Sequence, residues 1–152
     1  LVYSSLSTPN SVYDYHLADG TLTLLKREPV LGKFRPTNYV SELVFAPARD
    51  GRMIPVSLLH RKRIGPRAKA PMLITGYGAY GTSSDPFFNA ARLSLIDRGV
   101  LFAIAHVRGG EEMGRSWYAE GRQRAKMNSF TDFIDVTDWL VREGWADPQR
   151  IV

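Results

Sequence analysis

Polar and apolar positions alternate over the first third of the chain. Ser11–Leu17 sets Val12, Asp14 and His16 on one face and Tyr13, Tyr15 and Leu17 on the other, and Thr21–Leu25 alternates again after Asp19-Gly20. Two alternating runs about Asp-Gly predict a β-hairpin, because glycine supplies the positive φ of a tight turn. Leu1–Leu6 reads as a further strand, and the stretch from Pro29 to Pro36 breaks the pattern as a crossing linker. A second hairpin is expected from Val40–Phe45, a turn at Asp50-Gly51, and Met53–His60. Pro55 has no N–H to give to a ladder, which predicts an edge or a bulge at that point.

From Pro71 the pattern changes. Pro71–Thr75 is a short apolar strand that runs into the turn Gly76-Tyr-Gly-Ala-Tyr-Gly81. Phe87–Asp97 reads as a helix. Val100–Val107 is almost continuously apolar, as expected of a strand covered on both faces. A short helix is expected over 113–120, and a long one over Ser129–Glu143. In the long helix Ser129 and Asp132 have the spacing of a capping box, Phe130, Phe133, Ile134, Thr137, Leu140 and Val141 form the apolar face, and Gly144 is the stop. Strand, helix, strand, helix and a new strand at Arg150–Val152 make an α/β fold with a parallel sheet, in which ligands bind at the carboxyl ends of strands. The turns after Thr75 and Val107 lie at two such ends.

Composition narrows the function classes. The 152 residues are 44% hydrophobic and 23% charged, which excludes a disordered or coiled-coil chain. No apolar run approaches the roughly 18 residues of a spanning helix, so no membrane partner is expected. With no cysteine and only His16, His60 and His106 far apart in sequence, disulfides, thiolate metal sites and cysteine nucleophiles are excluded; no metal and no cofactor is expected. The net charge of +5 owes much to Arg61-Lys62-Arg63, Arg67 and Lys69. That cluster is broken by Gly65-Pro66 and has no interleaved aromatics, so it reads as a solvated loop and no nucleic-acid partner is expected. The absence of cysteine and of a visible leader suits a cytoplasmic protein. Both ends look cut through secondary structure, so the chain is expected to be a piece of something longer.

Several side chains are candidates for chemistry. Gly76, Gly78 and Gly81 have the spacing of a nucleotide loop, but Tyr77 and Tyr80 occupy it, Pro86 interrupts the next stretch, and no acidic ribose ligand is evident after Val107. A tyrosine hydroxyl held over a strand end can donate to a developing oxyanion, but the spacing alone favours the simpler reading that Tyr77 and Tyr80 pack. There is no G-x-S-x-G elbow, and neither Ser83 nor Ser116 has the right neighbours. Adjacent Glu111 and Glu112 seldom converge on one point and read as a solvated loop or a helix N-terminal charge. His106 reads as a hydrogen-bonded structural residue or, less simply, a base. Arg108 either anchors an anion or braces its loop.

Asn38-Tyr-Val-Ser-Glu42, Ala48-Arg-Asp-Gly51, Pro55-Val-Ser57, Gly76-Tyr-Gly-Ala-Tyr-Gly81, Arg92–Gly99, His106-Val-Arg-Gly-Gly110, Trp117-Tyr118 and Asn128–Phe133 succeed one another in order. Together they resemble the prolyl oligopeptidase family of serine peptidases, and within it the oligopeptidase B branch. The resemblance implies an α/β-hydrolase parallel-sheet domain, of which this is the N-terminal part, preceded by the last strands of a β-propeller. It implies propeller strands over 1–30, a linker over 31–37, and a truncated peptidase domain over 38–152. The family's catalytic serine is then expected just beyond Val152, with the aspartate and histidine further on, so that this stretch alone is inactive. Tyr77 matches the family's oxyanion tyrosine. Asp85 matches the first of two acidic residues that take a basic side chain at the second subsite, and Phe87 stands in place of the other. Short peptides are the implied substrates, cleaved through an acyl-enzyme, with a non-catalytic binding protein on the same scaffold as the alternative. Glu111 replaces a glycine of the family's Arg-Gly-Gly-Gly-Glu loop, which re-aims that turn.

Overall fold

The computed structural model describes residues 1–152 and divides them between two sheets. In the first, β1 (Val2–Ser5), β2 (Thr8–Tyr15) and β3 (Leu22–Arg27) are antiparallel neighbours in chain order. The Asp19-Gly20 hairpin forms as expected. Gly20 has φ 71°, and the Asp19 carboxylate accepts from the Thr21 amide at 3.0 Å and its hydroxyl at 2.8 Å. The ladder slips between Val12 and Tyr13, so the alternation is interrupted by an irregularity; Pro9 and Ser11 are buried, while Val12 and Tyr15 stay exposed.

The second sheet holds β4 (Tyr39–Pro47), β5 (Met53–Arg61), β6 (Ala70–Thr75), β7 (Leu101–Ala105) and β8 (Ala146–Ile151) in the order β4-β5-β7-β6-β8. The β6 strand runs parallel to both β7 and β8, whereas the β4–β5 hairpin joins β7 antiparallel. Pro55 is therefore in an interior strand, with no bulge against β4, contrary to the edge expected of it. The ladder explains the exception. The β5–β7 pairing starts at Val56, and the Pro55 carbonyl accepts from the His106 amide at 3.0 Å just past the end of β7. In an antiparallel strand a residue's N–H and C=O point the same way, so the missing N–H falls where β7 has already ended.

Three helices complete this unit: α1 (Ala90–Asp97), α2 (Arg115–Ala119) and α3 (Met127–Arg142). The first begins three residues later than the pattern predicts, because the Asn89 side chain accepts from the Ala91 amide and caps it there. The β7 strand is buried throughout, and its side chains alternate between two cores. Leu101, Ala103 and Ala105 face Val136 and Leu140 of α3 together with Trp117 and Trp145. Phe102 and Ile104 face Leu93 and Ile96 of α1, a core that Leu6 from the first sheet also enters. The fully buried Val136 and Leu140 each contribute roughly 1.5–3 kcal/mol.

The inward face of α3 differs from the predicted one. Ser129, Asp132, Val136 and Leu140 are buried, whereas Phe130 and Ile134 are about half exposed. No capping box forms. The helix starts at Met127, and Ser129 and Asp132 are drawn inward by polar partners. A buried helix face with two polar members is stable only if both are satisfied, and here they are.

Candidate active site

The parallel pairing of β6 and β7 brings their carboxyl ends side by side, from Met72 opposite Leu101 to Thr75 opposite Ile104. The loops that leave these ends, 76–89 and 106–114, are laced together. The Gly81 amide donates to the Gly109 carbonyl at 3.0 Å, and the Ser84 amide to Glu112 Oε1 at 2.9 Å. Gly78, at φ 62°, turns where a Cβ would strike Val107 and the Arg108 carbonyl, and a Cβ on Gly109 would overlap the Gly78 carbonyl. The two turns touch backbone to backbone, which only glycine allows.

Beneath them lies a buried polar hub. Arg108 is 3% exposed, and its Nε and Nη2 donate to Asp132 at 2.9 and 2.5 Å, while Nη1 donates to Asp50 at 2.6 Å. The Asp132 hydrogen bonds hold the guanidinium above its ordinary pKa against the opposing effect of burial. Arg108 thus braces its loop, tying α3 to the β4–β5 turn, and is not free for an anion. The Ser129 hydroxyl sits within reach of the Gly78, Arg108 and Gly121 carbonyls, with Arg108 the nearest. Lys126 Nζ donates to the Gly78 carbonyl at 2.5 Å and to Ser129 Oγ at 3.2 Å. Lys126 and Asp132 escaped sequence reasoning as partners of this loop. The 129–132–136–140 spacing was the available signal, since it is one helix face with polar residues in its first turn.

The remaining candidates are dispersed around this hub. Tyr77 sits in the β6 loop and is 55% exposed, and Tyr80, with a left-handed φ of 56°, is 84% exposed. Neither packs away. His106 is buried, and its Nε2 is hydrogen-bonded to Ser57 Oγ at 2.8 Å, the structural arrangement expected of it. Its Nδ1 is 3.6 Å from Glu112 Oε1, too long for a hydrogen bond. Glu111 and Glu112 separate. Glu111 pairs with Arg115 at the surface at 2.6 Å, but the Glu112 side chain is only 13% exposed, which corrects the solvated loop expected for it. Burial pushes the Glu112 carboxyl up, but the His106 ring and the Ser84 amide outweigh it and leave the pKa below 4.5.

Asp85 is shared by two clefts. One, of about 540 Å³, is lined by Ser57, His106, Glu112 and the hairpin residues Leu43, Phe45 and Pro55. The other, of about 570 Å³, brings Asp85 together with Phe87, Arg92 and Phe102. Arg92 holds this second wall: its guanidinium lies 4.0 Å from the Phe102 ring centre and donates to the Phe87 carbonyl at 3.2 Å. Tyr77 lines neither cleft. In the basic loop, Arg61 is engaged by Asp97 at 3.0 Å and lies over the Tyr39 ring.

A model of the prolyl oligopeptidase family matches residues 86–152. The chain is 51% identical over 150 residues to dipeptidyl aminopeptidase BI of Pseudoxanthomonas mexicana, covering 98% of this chain and 21% of that protein. It is 36% identical to protease 2 of Moraxella lacunata, covering 98% of this chain and 22% of that one. Oligopeptidase B of Leishmania major superposes with a TM-score of 0.88 at 41% identity, over 99% of this chain and 21% of that chain. The chain therefore spans about a fifth of the length of the relatives it matches. The fold is α/β, a mixed sheet with helices and with propeller strands before it.

Proposed function

Because the chain belongs to the prolyl oligopeptidase family, we propose that the whole protein is a serine peptidase that cleaves short peptides, and that this stretch supplies the Tyr77 phenol to its oxyanion hole. The observation that carries the reading is the position of Tyr77: an exposed ring, in a loop at the carboxyl end of β6, braced from below by a buried polar hub. A neutral phenol donates one hydrogen bond to the charge that builds on the carbonyl oxygen as a serine attacks, and a pre-aimed donor needs no reorganisation at that moment. The second donor is the backbone N–H after the nucleophile. The serine, aspartate and histidine of the triad come from outside this stretch, so 1–152 alone has no peptidase activity. On this reading 1–30 are propeller strands, 31–37 a linker and 38–152 the start of the peptidase domain. Asp85 supports acceptance of a basic side chain at the second subsite, in a cleft that Phe87 makes less acidic.

Steady-state kinetics of the whole protein test this reading. Tyr77→Phe is expected to lower kcat by about a hundredfold with little change in KM, the signature of a lost transition-state donor. An unchanged kcat rules out the role given to Tyr77.

A further inference from the structure

We infer that Lys126 and Ser129 are positioning residues that aim Tyr77 by holding the Gly78 carbonyl; the inference rests on the role proposed for Tyr77.

Three observations carry it. First, Tyr77 is 55% exposed and little of the fold packs on it, so the backbone of its loop decides where the phenol goes. Second, that backbone has few ties of its own. Gly78 comes directly after Tyr77 and sits at φ 62°, and its carbonyl accepts from a side chain, not from the main chain: Lys126 Nζ donates to it at 2.5 Å, with Ser129 Oγ alongside at 3.2 Å. The backbone ties of the turn come after Gly78: the Thr82 amide donates to the Ala79 carbonyl, and the Gly81 amide to Gly109. Third, Lys126 is poorly placed for its own helix. It occupies the position before Met127, at the end of α3 where the helix dipole is positive, and it caps no amide. A cation there opposes the dipole, and a residue with a short oxygen side chain would serve α3 better. The lysine makes sense for the loop: an ammonium offers three donors, and here one goes to Gly78 and another to Ser129 Oγ.

Ser129 completes the arrangement. Its single proton goes to the nearby Arg108 carbonyl, while its oxygen accepts from Lys126. The ammonium is thus held between the loop and a hydroxyl that is itself anchored on the β7 turn. Removing either side chain frees the Gly78 peptide to rotate, and with it the direction of Tyr77.

The test is a double-mutant cycle in the whole protein with a short peptide substrate, reading kcat, KM and Tm. Lys126→Met, which keeps the stem and removes the donors, is expected to lower kcat about tenfold with KM within about twofold, and Lys126→Arg to recover most of the loss. In a Tyr77→Phe background the same Lys126→Met change is expected to cost almost nothing, because the donor it aims is already gone. Ser129→Ala should couple to Tyr77 in the same way and provides the cycle if Lys126→Met does not fold. Equal losses of kcat with and without the Tyr77 hydroxyl, or a fall in Tm alone, overturn the positioning role while leaving that of Tyr77 intact. If Tyr77→Phe by itself leaves kcat unchanged, both fall, and the tyrosine arm identifies that case.

Discussion

Arg108 and Asp132 meet as fork and carboxylate in the centre of the molecule. Nε and Nη2 of the arginine donate to the two carboxylate oxygens, and the Arg108 backbone amide donates to Oδ2 at 3.0 Å, with the aspartate fully buried. Such a pair is stable only while both partners remain, because either one alone is a buried charge. Asp132→Ala is therefore expected to destabilise the whole protein by about 3–5 kcal/mol. Asp50→Asn, which removes the exposed second partner of the same guanidinium, is expected to cost about 1 kcal/mol or less. Replacing both members, Arg108→Met with Asp132→Leu, should cost less than Asp132→Ala alone. Denaturant unfolding at one pH orders the three. If Asp50→Asn proves as harmful as Asp132→Ala, the hub is centred on the wrong carboxylate.

Asp135 and Asp50 give this part of the fold an acid limit. Hydrogen bonds from Arg49 hold the Asp135 carboxyl below its ordinary 3.8. Burial pushes Asp50 up, but the Arg108 hydrogen bond and its neighbours leave it below 3.8 as well. A carboxyl whose pKa is lower in the folded state stabilises the fold at pH above its unfolded value. That contribution is lost as pH falls through the folded value, where both states are protonated. Tm is expected to change little from pH 7 to pH 5 through these groups and to drop below about pH 4. Asp135→Asn should lower Tm at pH 7 and flatten the drop. A drop of the same steepness in the variant removes Asp135 as its source.

Much of the architecture was legible because the residues concerned answer to one local demand each. Asp19-Gly20 and Asp50-Gly51 need only a turn, and the apolar run of 100–107 needs only two covered faces. The failures occurred where a residue answers to a distant partner. Ser129 and Asp132 have capping-box spacing, but their oxygens are claimed by the Arg108 turn 20 or more residues earlier. Pro55 breaks the edge-strand rule because β7 stops one residue short of it, a fact of another strand's length. Glu112 looked solvated beside Glu111 because adjacency says nothing of Ser84, which folds over it. At the candidate site the Gly-rich turn itself singles out Tyr77, and resemblance adds Asp85 and Phe87, whereas Lys126 and Ser129 reach the Gly78 carbonyl from 48 and 51 positions away.

Gly109 tests the backbone contact between the two loops. It lies at φ 106°, and a methyl group there would overlap the Gly78 carbonyl. Gly109→Ala is expected to destabilise the fold by about 2 kcal/mol or more, because the strain and the overlap act together. Since the carbonyl that must move is the one next to Tyr77, kcat should fall in the fraction that remains folded. Gly99 is the control. It also has a positive φ, 92°, but open space around it, so Gly99→Ala should lower Tm with no effect on kcat. Equal effects of the two on kcat would mean that the loop contact has no part in aiming the phenol.

Phe87 and Asp85 share one cleft, and only one of them carries charge. Phe87 is 58% exposed, and the Arg92 guanidinium lies 5.9 Å from its ring centre, so a carboxylate at 87 has room and a cation close by to stabilise it. Phe87→Asp sets two carboxylates two positions apart on one wall. A substrate with lysine or arginine at the second subsite should then gain about tenfold in kcat/KM over the parent, while one with an apolar residue there should lose. The gain should shrink as salt rises, because the added attraction is between partly exposed charges and is screened over about 8–10 Å. Asp85→Asn in the parent protein is expected to move the same ratio the other way. If neither substitution changes the preference between basic and apolar substrates, this cleft does not read the second subsite, and Asp85 is simply a loop carboxylate.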